Sequence, residues 1–170
     1  PFLWSPDSKY VGLMKRRDVK VREVHYVDSA PKDQLQPKHF TRSYGKPGDP
    51  MPTQTVHVFL AGWNSRHFTA DPALVKDPFS TRRPAWRPDS SGFLFEHIER
   101  GFGAHRVIEI QIPSGKTRAL IDETAETFVN VFQKGYRRDL DGFDEIIWRS
   151  ERDGWNHLYL YDGRTGKVKH

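Results

Sequence analysis

Ten serines, eight histidines and 22 acidic residues are the raw material for catalysis in this 170-residue chain, and their spacing decides what they can do. No serine has a glycine two residues before it, so the Gly-x-Ser-x-Gly elbow that presents a nucleophilic hydroxyl is missing. The histidines show neither His-Glu-x-x-His nor any other tight ligand spacing, and without cysteine there are no thiolate zinc sites and no disulfides. Gly101-Phe102-Gly103 has Arg106 where a dinucleotide fingerprint needs a third glycine. Gly163-Arg164-Thr165-Gly166-Lys167 has Tyr161 where a phosphate loop needs its first glycine, so it reads as a hairpin turn. His105 and His157 sit at matching places in an internal repeat and read as packing positions. The expectation is a chain without a catalytic residue, metal ligand or cofactor of its own.

The formal net charge of +5 raises nucleic-acid binding as a function. The basic clusters Lys15-Arg16-Arg17, Arg82-Arg83 and Arg137-Arg138 are interspersed with acidic residues and form no stripe, which argues against it. Apolar residues make up only 36% of the chain while aromatics reach 13%, so large rings between sheets must supply much of the core. No apolar run is long enough to span a membrane and no signal peptide is visible. Pro1 is not an initiator methionine, so the chain reads as a piece of a longer protein.

Short runs of aromatic and β-branched residues, bounded by Pro, Asp and Gly, position these side chains. Trp4-Ser5-Pro6-Asp7-Ser8 returns as Trp86-Arg87-Pro88-Asp89-Ser90, a strand running into a Pro-Asp turn. Glu99-Arg100 and His105 return as Glu151-Arg152 and His157, each followed by a strand and a Gly-Lys turn. The two Glu-Arg pairs are candidate ion pairs between repeats. Self-similarity of this length is the signature of propellers and arrays.

Strands are predicted at 2–5, 9–15, 21–28, 39–44, 55–60, 81–86, 92–99, 104–112, 117–121, 128–132, 145–149 and 157–161. The proline-rich stretch 30–56 reads as an elaborated loop carrying an edge strand, with a turn at 61–64 and loop over 64–80. Residues 122–127 form a polar connection and 135–142 a charged turn. In the last strand Leu158 and Leu160 face one way and Tyr159 and Tyr161 the other, so both faces are expected to be buried. The fold class is all-β, a partial β-propeller of about two and a half blades of antiparallel sheet. The expected division is a blade at 1–60 with an elaborated loop at 30–80, a blade at 81–122 and an incomplete blade at 128–170.

The segment from Trp148 to Asp162, Trp-Arg-Ser-Glu-Arg-Asp-Gly-Trp-Asn-His-Leu-Tyr-Leu-Tyr-Asp, resembles a hallmark of the N-terminal β-propeller of dipeptidyl peptidase IV-type enzymes. These are serine exopeptidases of the prolyl oligopeptidase family. Trp4-Ser-Pro-Asp-Ser-Lys, Asp33-Gln-Leu-Gln-Pro-Lys-His, Gly45-Lys-Pro-Gly-Asp and Arg106-Val-Ile-Glu-Ile are similar to the bacterial branch, so the resemblance covers the whole chain. It implies a propeller that gates short peptides over a C-terminal α/β-hydrolase domain carrying the catalytic triad, in a secreted or periplasmic protein. It implies peptide substrates. Uncovered sheet faces and open strand edges of a partial propeller are expected to make the chain self-associate, and the mixed charge pattern leaves no nucleic-acid partner expected. The resemblance places Phe132, Tyr136 and Arg137 near the substrate chamber, with core packing as the competing reading for Phe132. The glutamate pair that captures a substrate's amino group in this family is assigned to no residue here. The competing function is a stand-alone propeller module for protein interaction, and a third is a relative that has lost its nucleophile.

Overall fold

The computed structural model describes residues 2–62, 66–132 and 135–170. It has two compact units, Pro1–Arg16 with Gln54–His170, and Arg17–Thr53. Strands run in chain order from β1 (Phe2–Trp4) and β2 (Tyr10–Arg17) through β3 (Glu23–Asp28) and β4 (Lys38–Ser43) to β5 (Thr53–Leu60) and β6 (His67–Thr69). Then come β7 (Pro78–Trp86), β8 (Gly92–Glu99), β9 (Ala104–Gln111) and β10 (Thr117–Thr124). The last three are β11 (Arg137–Leu140), β12 (Glu145–Ser150) and β13 (His157–Asp162), with a 3-10 turn at Asp141–Phe143.

The larger unit consists of three sheets. The first has the order β1-β2-β5-β6, the second is the meander β10-β9-β8-β7, and the third is β11-β12-β13. The two Pro-Asp-Ser turns behave as true repeats. Ser8 N–H bonds to the Ser5 carbonyl at 2.8 Å and Ser90 N–H to the Arg87 carbonyl at 2.9 Å, and both serines take φ 60°. The Asp side chain then accepts from the backbone two residues on, Lys9 at 3.2 Å and Ser91 at 3.0 Å, which fixes the entry to the next strand.

The core follows from alternation on β8 and β9. Phe93, Phe95, Ile108 and Ile110 point to the first sheet and pack with Val56, Val58 and Trp86. Leu94 and Val107 point to the third sheet and meet Ile146, Trp148 and Tyr161. Gly12 lets the Phe93 ring lie flat on β2, because a Cβ there would run into the ring. At one end the second and third sheets are tied through Arg87, which is buried. It donates to Glu109 and, at 2.6 Å, to the Gly163 carbonyl.

Double-sided burial therefore belongs to the middle sheet, not to the last hairpin. Trp148 is 2% exposed, but Leu158 is 62% exposed and Leu160 only partly covered. A strand is buried on both faces only where sheets lie on both sides, and β13 is covered on the Tyr161 face. The edge of β13 is nevertheless engaged: Val168 bridges Tyr161, and Lys169 N–H bonds to the Leu160 carbonyl at 2.7 Å.

The strand expected at 21–28 is β3, and β5, with Val56 and Val58 buried on one face, lies beside β2 in the first sheet. Three other expectations change. Residues 67–69, expected as loop, are the fourth strand of the first sheet. No strand forms at 128–132, and β11 occupies the expected charged turn instead. Of the two Glu-Arg pairs, Arg152 does link sheets, reaching Glu123 at 3.0 Å, while Glu99 pairs with Arg106 of its own sheet and with Lys76 just before β7. Trp63 and Asn64 of the expected turn lie outside the described residues.

The smaller unit is the β3–β4 hairpin and its flanks. Tyr26 and Phe40 stack at 5.3 Å and His25 Nδ1 lies 3.1 Å from His39 Nε2. Asp49 is nearly buried, accepting from Arg22 at 2.9 Å and from the Lys46 N–H at 2.9 Å.

Candidate functional site

Glu96 is a carboxylate in the middle of the apolar run Phe93-Leu94-Phe95-Glu96-His97-Ile98. Alternation aims it, with Leu94 and Ile98, at the third sheet, where an unpaired charge would be costly. Its partners come from three strands. Arg82 stands opposite it in register and donates from Nε at 2.8 Å. His105 on β9 donates from Nε2 at 3.1 Å, and Arg137 on β11 approaches to 3.5 Å. Arg83 lies 3.4 Å away. Burial pushes the Glu96 carboxyl up, but the hydrogen bond and charge of His105, the Arg82 hydrogen bond and the Arg137 charge outweigh it and hold it at about 2. Trp148 closes the layer with its ring 4.6 Å from that of His105.

Next to this layer a cavity of about 340 Å³ opens between the second and third sheets. Glu123 and Thr124 at the end of β10 form one wall, Ser150 to Arg152 another, and Phe128 to Asn130 of the β10–β11 connection a third. Ser150 Oγ and Arg152 both donate to Glu123, and Arg152 also lies over the Tyr159 ring at 4.5 Å. The connection is anchored by backbone bonds to the β8–β9 turn, Val129 N–H to the Phe102 carbonyl at 2.7 Å and Ala125 N–H to the Gly103 carbonyl at 3.2 Å.

The three residues singled out from sequence are placed differently from one another. Phe132 is 70% exposed and meets Phe79 and Phe102 edge to face at 5.9 and 5.1 Å. It lies in the connection rather than in a strand core. Tyr136 is 42% exposed, with its carbonyl accepting from Arg149 N–H at 3.0 Å. Arg137 is buried, with Nε on Asp139 at 2.7 Å and its guanidinium 5.8 Å from the Phe143 ring. Residues 133 and 134 of this connection lie outside the described residues. His105 is buried against Glu96, whereas its repeat partner His157 is exposed and bonded to Asp153 at 2.9 Å.

In the sequence Arg82-Arg83 stands out only as a basic cluster and Glu96 not at all. The available signal was a charge inside an uninterrupted apolar strand, with two arginines on the preceding strand. Among the described residues no group of three or more His, Asp or Glu side chains could hold a metal ion, and no helix is long and apolar enough to cross a membrane.

Sheets of four, four and three strands packed face to face through two cores, with the same Pro-Asp-Ser turn at the same place in the first two, define a partial β-propeller. The comparisons name its family. A family model described as the dipeptidyl peptidase IV (DPP IV) N-terminal region matches residues 2–170, and the chain belongs to that family. Dipeptidyl peptidase 4 of Arthroderma otae is 22% identical over 97% of this chain and 22% of its own length. Among solved structures, Porphyromonas gingivalis dipeptidyl peptidase 4 is similar with a TM-score of 0.69 and 18% identity, over 99% of this chain and 23% of the other. A Bacteroides ovatus protein described as a dipeptidyl aminopeptidase IV is similar with a TM-score of 0.60 and 20% identity, over 97% and 23%. The chain thus spans less than a quarter of the length of these relatives.

Proposed function

We propose that this chain is the non-catalytic propeller part of a secreted or periplasmic dipeptidyl peptidase IV-like serine exopeptidase. In this reading it gates and selects short peptides for a C-terminal α/β-hydrolase domain that supplies the nucleophile. The observation that carries the proposal is the family match across residues 2–170, on a chain without a nucleophile elbow. The three sheets are its blades, and the β3–β4 unit elaborates the first. In the connection before β11 the described residues 125–132 and 135–136 form the chamber-facing part, with exposed Phe132 and Tyr136 available to a peptide side chain. Arg137 contributes by holding Glu96 and Asp139, which sets the start of β11.

The test is hydrolysis of an Xaa-Pro chromogenic dipeptide by the whole protein carrying this chain and by the chain alone. The whole protein is expected to release the chromophore, with inhibition by a serine-directed reagent, and the chain alone to be inert. No turnover by the whole protein, or turnover by the chain alone, would overturn the proposal.

A further inference from the structure

The first strands of the three sheets lie side by side. The Trp86 indole N–H on β7 donates to the Leu3 carbonyl of β1 at 2.9 Å, and Arg83 on β7 donates to the Arg137 carbonyl of β11 at 3.1 Å. Sheets that meet along their first strands fan out around an axis, and residues leaving those strands reach the channel a propeller encloses.

Arg82 and Arg83 leave β7 at this place. The register with β8 is broken between Arg82 and Ala85, and Arg83 takes φ 51°, in the left-handed region that a long side chain rarely adopts. Such a backbone persists only where its surroundings hold it, and it concentrates at binding sites. Here the hold is Glu96, which is 1% exposed and takes Arg82 at 2.8 Å and Arg83 at 3.4 Å, while the Arg137 carbonyl takes Arg83 as well.

Both guanidiniums are thus held by Glu96 and still open to solvent, with side chains 40% and 53% exposed. Arg82, Arg83 and Arg137 carry three positive charges against the two carboxylates of Glu96 and Asp139. A guanidinium has five N–H donors in a rigid fork, so a shared carboxylate leaves donors to spare.

We propose that Arg82 and Arg83 form an anion-binding pair on the inner strand of the second sheet, taking a carboxylate such as the free C-terminus of a short peptide. The peptide as its source rests on the function proposed above; the anion pair itself rests on the geometry of β7, β8 and β11.

The experiment is a calorimetric or NMR titration of the full chain at low salt with Ala-Ala, with its C-terminal amide and with inorganic phosphate. Ala-Ala and phosphate are expected to bind and to compete. The amide should be weaker by about tenfold or more, because it offers no charge-assisted bond. Arg83→Gln, whose thermal melt is compared with the parent, should weaken Ala-Ala to a similar degree, and added sodium chloride should weaken both anions by screening. Equal binding of acid and amide overturns the proposal. So do unchanged affinity in a folded Arg83→Gln and the absence of saturable anion binding. Phosphate binding without Ala-Ala binding overturns the carboxylate assignment. If Arg83→Gln does not fold, the acid–amide comparison on the parent chain decides. Binding is read without turnover, so this result and that of the peptidase assay stand or fall separately.

Discussion

Glu96 of β8 and Arg137 of β11 meet 3.5 Å apart across the junction of two sheets, both nearly free of solvent. Removing one charge of such a group leaves the others buried and unmatched, so Glu96→Gln is expected to cost about 3 kcal/mol at neutral pH. The carboxyl is held at about 2, against an ordinary value of 4.5. A depressed carboxylate contributes its stability above the unfolded value and loses it as pH falls through the folded one. The gap between parent and variant in urea melts should therefore be full above pH 4.5 and close as pH falls toward about 2. A gap that does not change with pH would contradict this account.

Trp148 and Leu158 lie on paired strands but differ in cover. Trp148 is 2% exposed and packs against the second sheet, so Trp148→Ala is expected to cost about 3–5 kcal/mol. Leu158 is 62% exposed, and Leu158→Ala should stay within about 0.5 kcal/mol of the parent. Chemical denaturation of both variants checks the one-sided burial of the third sheet, and equal losses would refute it.

A methyl group at Gly12 would meet the Phe93 ring, which has 0% exposure and cannot move toward solvent. Overpacking of this kind costs about 1–3 kcal/mol. Gly12→Ala should destabilise by that amount, and Phe93→Leu should recover part of the loss in the double variant. Strict additivity of the two substitutions in a double-mutant cycle would show that the residues do not touch.

Exposed apolar side chains include Phe2, Leu3 and Trp4 on β1 and Trp155 and Leu158 around the start of β13. Uncovered apolar surface recruits other chains. Sedimentation velocity over a wide concentration range is expected to show association that rises with concentration and weakens in Phe2→Ser/Trp4→Ser. A single monomeric species throughout would mean that these residues do not drive association.

Local chemistry made much of the fold legible. Pro6-Asp7-Ser8 and Pro88-Asp89-Ser90 announce their turns because Pro sets φ and Asp bonds the backbone two residues on, and neither effect needs the rest of the chain. The strands β7 to β10, β12 and β13 were readable for the same reason, as apolar runs between such turns. The family was legible because the segment from Trp148 to Asp162 carries a rare residue order rather than a common pattern.

What only the tertiary structure decided was which strands pair and which faces are covered. The pairing of β2 with β5, across the whole β3–β4 insertion, depends on partners far apart in sequence, and the exposure of Leu158 depends on what the other sheets leave uncovered. A period of two residues says that a strand has two faces, but not what lies on each. The Glu96 layer shows this most clearly. Along the chain Arg82, Arg83 and Arg137 read as members of separate basic clusters and His105 as a packing position, with nothing to join them. They become a charged group only when β7, β8, β9 and β11 bring them to one carboxylate that no water can reach.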